Sequence, residues 1–230
     1  MILHATGKTN IGNLALFWPA SLPADFDERF EEEPDGSIEE LRAEGKLILL
    51  SGEPNVEYGL GLFIDEQPAE ELQKYCQLVE KIESLHVACE GWFGGLELIF
   101  RDDRSFVEKH PRQIAALDVP PGTYFAEVYT TEVPDRVFEA WLVDQAGASA
   151  VKLWWIQTWV MAIGVVAFAI FVSCLFLATR EAAQATFAVS IVLLLMAWLM
   201  SLPPGYRRVQ KALRDYARAY PHYVICLKSS

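Results

Sequence analysis

LWWIQTWVMAIGVVAFAIFVSCLFLAT, residues 153–179, runs for 27 positions without an acid or a base. A helix rises about 1.5 Å per residue, so roughly 20 apolar residues cross the hydrocarbon core of a bilayer. A second uncharged run covers residues 182–206, and only Arg180 and Glu181 separate the two. The spacing predicts a two-helix transmembrane hairpin over 151–204, with spans 153–179 and 182–203.

The charge on either side of this stretch is lopsided. The 230-residue chain carries a formal net charge of -12, and residues 1–152 alone hold 29 acids against 12 bases. Residues 203–230 reverse the sign, with six bases and one acid. The composition therefore divides the chain into an acidic soluble domain (1–150), the hairpin, and a basic C-terminal segment (205–230). A field this negative repels phosphates and excludes nucleic acid as the main partner.

Basic flanks mark the cytoplasmic side of a span, and Arg207, Arg208, Lys211 and Arg214 follow the second run closely. Two crossings would return the N-terminus to that side, and MILHATGKTN lacks the apolar core of a secretory signal. The expected location is the bacterial inner membrane, multi-pass, with both termini cytoplasmic. Trp154, Trp155 and Trp159 open the first run and Trp198 lies late in the second, as an aromatic belt at one interface would require. Neither proposed span holds an Asp, Glu, Lys, Arg or His, which argues against a proton relay or ion-coupled transport.

In the acidic part, alternating and hairpin-like patterns predict strands over 12–19, 46–51, 56–64, 85–89, 95–100, 113–119 and 123–131, with Val56, Tyr58, Leu60 and Leu62 sharing one face at period two. Pro68 followed by AEELQKYCQLVEKI predicts a helix with acids at its positive end, and 135–143 predicts a second. The expected fold is an α+β domain of mostly antiparallel strands with two helices, then the hairpin, then an amphipathic helix. In RRVQKALRDYARAY, Val209, Leu213, Tyr216 and Tyr220 share one helical face, leaving the bases for anionic lipid headgroups. After Pro221, HYVICL reads as a strand that should pair with an edge of the head's sheet.

Chemistry is sparse. Cys76, Cys89, Cys174 and Cys226 form no CxxC pair, and His86 and Cys89 would point to opposite faces of a strand. No phosphate-binding glycine loop, nucleophile elbow or zinc-helix motif is present, so neither a cofactor nor a catalytic set is expected. The most prominent local feature is the acidic run 25–44. It places Glu28, Glu31, Glu32, Glu33, Asp35, Glu39 and Glu40 on a surface able to dock a basic protein.

The stretches EEEPDGSIEELRAEGKLILL (31–50), EYGLGLFIDE (57–66), FGGLEL (93–98) and VPPGTYFAEVYTTEVP (119–134) are similar to uncharacterised bacterial proteins with a soluble head and a two-helix membrane hairpin. Proteins of this build resemble the immunity partners of toxins delivered by contact-dependent or type VI secretion. The resemblance implies a non-enzymatic protein that binds and neutralises a membrane-acting toxin, with oligomerisation left open. The alternative is a membrane-tethered scaffold or regulatory subunit of an envelope complex.

Overall fold

The computed structural model describes residues 1–102, 108–109, 113–177, 187–193, 195–196, 198 and 204–229. The chain forms two compact units: Met1–Val133 with Ala217–Ser230, and Pro134–Tyr216.

The first unit is built on two sheets. In chain order its strands are β1 (Ile2–Lys8), β2 (Asn13–Phe17), β3 (Leu47–Ser51), β4 (Glu57–Ile64), β5 (Cys76–Val87), β6 (Glu90–Gly95), β7 (Ile114–Asp118), β8 (Gly122–Thr131) and β9 (Tyr223–Ser229). One sheet has the order β1-β4-β9-β8-β5 and the other β3-β2-β6-β7. Every pairing is antiparallel except that of β4 with β9.

Alternation puts Leu14, Leu16, Ile48, Leu60, Leu62, Phe93, Val128, Ile225 and Leu227 between the sheets in one apolar core. The residues of β2 with opposite parity, Ala15 and Phe17, enter a second core with Trp92. Helices α1 (Phe26–Glu32) and α2 (Pro34–Ala43) close that core with Phe26, Ile38 and Leu41. Strand β2 is thus buried on both faces, which is why its sequence, NLALF, is apolar beyond simple alternation.

The second unit contains α4 (Asp135–Ala146), α5 (Ala148–Leu177) and most of α6 (Pro204–Ala219); α3 (Glu70–Gln73) belongs to the first unit. Gly147, at φ 86°, breaks α4 from α5 in a conformation that costs glycine little.

Several expectations need correction. The fold is a mixed α/β arrangement of two sheets and several helices, not an α+β domain followed by a two-helix transmembrane hairpin and an amphipathic C-terminal helix. Among the described residues one helix, Ala148–Ser173 within α5, is long and apolar enough to cross a membrane. Much of the second proposed span, 182–203, lies outside the described residues. The two-span topology is not supported, and the parity argument that put both termini in the cytoplasm of a bacterial inner membrane falls with it.

The C-terminal strand does join the head's sheet, but in its interior between β4 and β8 rather than at an edge. The helix read after Pro68 is a single turn, α3. The following CQLVEKIESLHV forms β5, because nine of its residues pair with β8 and outweigh a local helical pattern. A 3-10 turn at Leu96–Leu98 stands where a strand over 95–100 was expected, and β1 had no counterpart in the sequence reading.

Candidate interaction surfaces

The acidic run folds as a helical hairpin. Pro34 starts α2 without the loss of a backbone donor, and Glu33 before it leaves the helical region at φ -140° and ψ 76°, which separates α1 from α2. The rings of Phe26 and Phe30 stack with centroids 5.4 Å apart on the inner side. Glu28, Glu31, Glu32, Glu33, Asp35, Glu39 and Glu40 are consequently all exposed on one structural feature. Glu40 is paired with Arg29, and this partner raises the Arg29 pKa. The other six form no ion pair among the described residues.

Beside α2 a cleft of about 270 Å³ opens between the edge strands β3 and β5. Arg42 and Glu80 bridge its rim at 2.8 Å, so each neutralises the other. Val79 sits where the β5–β8 register skips from Leu78 to Glu80, a bulge that leaves it 60% exposed. At the floor the Tyr223 hydroxyl donates to the Ser51 carbonyl. Burial, with a smaller contribution from Tyr58, pushes the Tyr223 phenol up to about 12. It stays a neutral donor at physiological pH, suited to holding β9 against β3 rather than to abstracting a proton. Next to it the Gly59 N–H donates to His222 Nδ1 at 3.0 Å, and the Tyr58 ring meets His222 edge-on.

The second unit carries the other surface. Leu142, Ala146, Ala150, Val151, Val209 and Ala212 form a small buried cluster, flanked by Phe138, Trp141, Trp154 and Leu213. Tyr216 packs edge-on to Phe138 with centroids 4.9 Å apart. The Trp141 indole N–H donates to the Ala212 carbonyl at 3.2 Å. Gly205 lies so close to α5 that a β-carbon there would stand 3.3 Å from that of Ala150. These contacts step in opposite directions along the chain, so α6 runs antiparallel to α4 and the start of α5. The apolar face read from Val209, Leu213 and Tyr216 is therefore covered by protein, while Arg207, Arg208, Lys211 and Arg214 are exposed.

Beyond this cluster α5 is mostly exposed: Gln157 and Gly164 are buried and the Phe171 ring lies 4.9 Å from that of Phe187, but most of its apolar side chains are uncovered among the described residues. Trp155, Trp159, Ile163, Val166, Phe168 and Ile170 are each 41% to 65% exposed, and 11% of the helix's apolar window is buried. Trp154 is half-buried and its ring lies 5.1 Å from that of Trp155; Trp198, in a separate described stretch, is 60% exposed.

Sequence reasoning missed the cleft and Lys152. The cleft depends on strands that meet only in three dimensions. Lys152 is the last charge before the apolar run, a position that could have drawn attention.

No protein-family model matches the chain, and comparison with curated proteins gives no match. Among solved structures, one titled "Crocagin biosynthetic gene J" is similar over 56% of this chain and 75% of its own, at 15% identity and a TM-score of 0.36. A likeness that distant lends this chain neither fold nor activity.

Proposed function

We propose that this chain is a non-enzymatic, membrane-attached binding protein whose two-sheet unit captures and neutralises a protein partner. The observation that supports attachment is α5. A helix apolar all round belongs either in a protein core or in lipid, and the described part of α5 is mostly uncovered. The exposed acids of α1 and α2 supply a docking surface for a partner with a basic face, where unpaired like charges steer encounter. A membrane-acting toxin is the partner class that the resemblance to immunity proteins implies, since such a toxin is met at the membrane.

Two measurements test this reading. The full chain should remain with membranes after alkaline carbonate extraction, and Val165→Arg with Val166→Arg should release it. Co-expression with a toxin encoded beside it should protect growth, and changing Glu28, Glu31, Glu32 and Asp35 to Lys should weaken protection at least tenfold. Release of the unaltered chain by carbonate would overturn attachment, and full protection by the Lys variant would overturn docking through the acidic hairpin.

A further inference from the structure

We infer that Lys152, Arg207 and Arg208, at the foot of α5, form a site for anionic lipid headgroups. The inference rests on the membrane reading of α5 and names the lipid class it contacts. Three observations converge. First, the antiparallel packing of α6 on α4 and α5 fixes the level of every base. Gly205 stands beside Ala150, so Arg207 and Arg208 lie within a turn of the point where α5 leaves the buried cluster. Lys152 lies on α5 itself, two residues before Trp154 and three before Trp155, the rings expected at headgroup depth.

Second, all three side chains are exposed and form no ion pair among the described residues, in a chain whose net charge is -12. With 31 acids in the chain, bases that pair with none of them among the described residues are available to an external anion.

Third, distance separates these bases from the rest of α6. At about 1.5 Å per residue, Arg214 lies roughly 13 Å along α6 from Gly205, more than the roughly 8 Å over which salt screens a charge. Lys211 lies about 9 Å along, at the limit of that range. Arg207 and Arg208 lie within about 5 Å, and their stems can extend toward the headgroups.

The test uses the full chain reconstituted in vesicles that contain either brominated phosphatidylglycerol or brominated phosphatidylcholine, with quenching of indole fluorescence as the readout. Trp154, Trp155 and Trp159 should be quenched more strongly by the anionic lipid. The expected preference is roughly fivefold for each base that engages, the equivalent of about 1 kcal/mol per base. Changing Lys152, Arg207 and Arg208 to Gln should bring the preference to one, whereas Arg207→Lys with Arg208→Lys should keep it. Lys211→Gln with Arg214→Gln should leave most of it in place. Equal quenching of the unaltered chain by both lipids would overturn the site while leaving the apolar anchor in force, as would a preference that survives in the Gln triple variant. Quenching by neither lipid would overturn the membrane reading, and the headgroup site with it.

Discussion

Leu62 of β4 and Ile225 of β9 stand opposite each other in the parallel ladder, both fully buried between the two sheets. A residue near the end of the chain thus fills the centre of a core begun by its first 64 residues. The intervening second unit is a long excursion from a sheet completed last.

Ile225→Ala and Leu62→Ala should each cost about 2–5 kcal/mol of stability, the usual range for truncating a buried aliphatic side chain. Because the two share one cavity, the double variant should depart from additivity by about 0.5–3 kcal/mol. Urea denaturation of the full chain in detergent measures both. Strict additivity would show that the parallel register is wrong.

Gly45→Ala should be among the most damaging single changes. Gly45 has φ 65°, and a β-carbon there would lie 1.9 Å from the Ser84 carbonyl oxygen, a backbone atom that cannot rotate away. The same glycine accepts the His86 N–H at 2.7 Å, tying the start of β3 to β5. Asn tolerates a positive φ, so Gly45→Asn separates strain from collision. Both variants should lower Tm by ten degrees or more on the scale of about 4–8 °C per kcal/mol for a small domain. Recovery in the Asn variant would mean that backbone strain alone matters.

Stability should fall as pH drops below about 6.5 because of His222. Partial burial holds the ring's pKa below its ordinary 6.5, and the neutral Nδ1 accepts the Gly59 N–H. A depressed histidine pKa means the unfolded chain takes up the proton first. The contribution is complete above pH 6.5 and is lost as pH falls through the folded-state value. His222→Asn keeps an acceptor without titrating, so its urea midpoint should vary less between pH 7 and pH 5. An unchanged slope in that variant would sink the assignment.

Glu127 acts in a lower window. Lys228 and Lys81 each reach its carboxylate at 3.0 Å and hold its pKa below the ordinary 4.5. Its contribution is present above pH 4.5 and disappears as pH falls through the folded-state value. Glu127→Gln should be less stable than the unaltered chain at pH 7 and nearly equal to it at pH 2, read as urea midpoints.

Val209→Asp tests whether the apolar face of α6 meets protein. Val209 is fully buried among Leu142, Ala146 and Val151, so an unpaired carboxylate there should cost about 3 kcal/mol or more. Amide exchange across 204–216 should accelerate while β2 and β4 stay protected. Unchanged exchange would mean this face is open.

Part of this was legible in the residues themselves. Short apolar runs in GNLALFWP, KLILLS and VEYGLGLFI marked β2, β3 and β4, because a strand covered on one or both faces needs apolar residues there whatever it pairs with. The acidic run was readable as a surface feature, since so many carboxylates can only be solvated. The amphipathic face of α6 was readable too, but not what covers it: Val209 and Leu213 announce an apolar neighbour, and packing on α4 and α5 supplied one in place of lipid or head.

The sequence by itself determined the uncharged stretch of α5, the charge asymmetry and the alternating strands, all consequences of composition and short-range periodicity. Tertiary structure alone decided that CQLVEKIESLHV is a strand, through its ladder with β8, and that HYVICL lies inside a sheet instead of at its edge. It also gathered Arg42, Glu80, Ser51 and Tyr223 around one cleft and set Arg207 beside the foot of α5. Pairings between residues this far apart in the chain leave no local trace, because their free energy arises only when both partners are already in place.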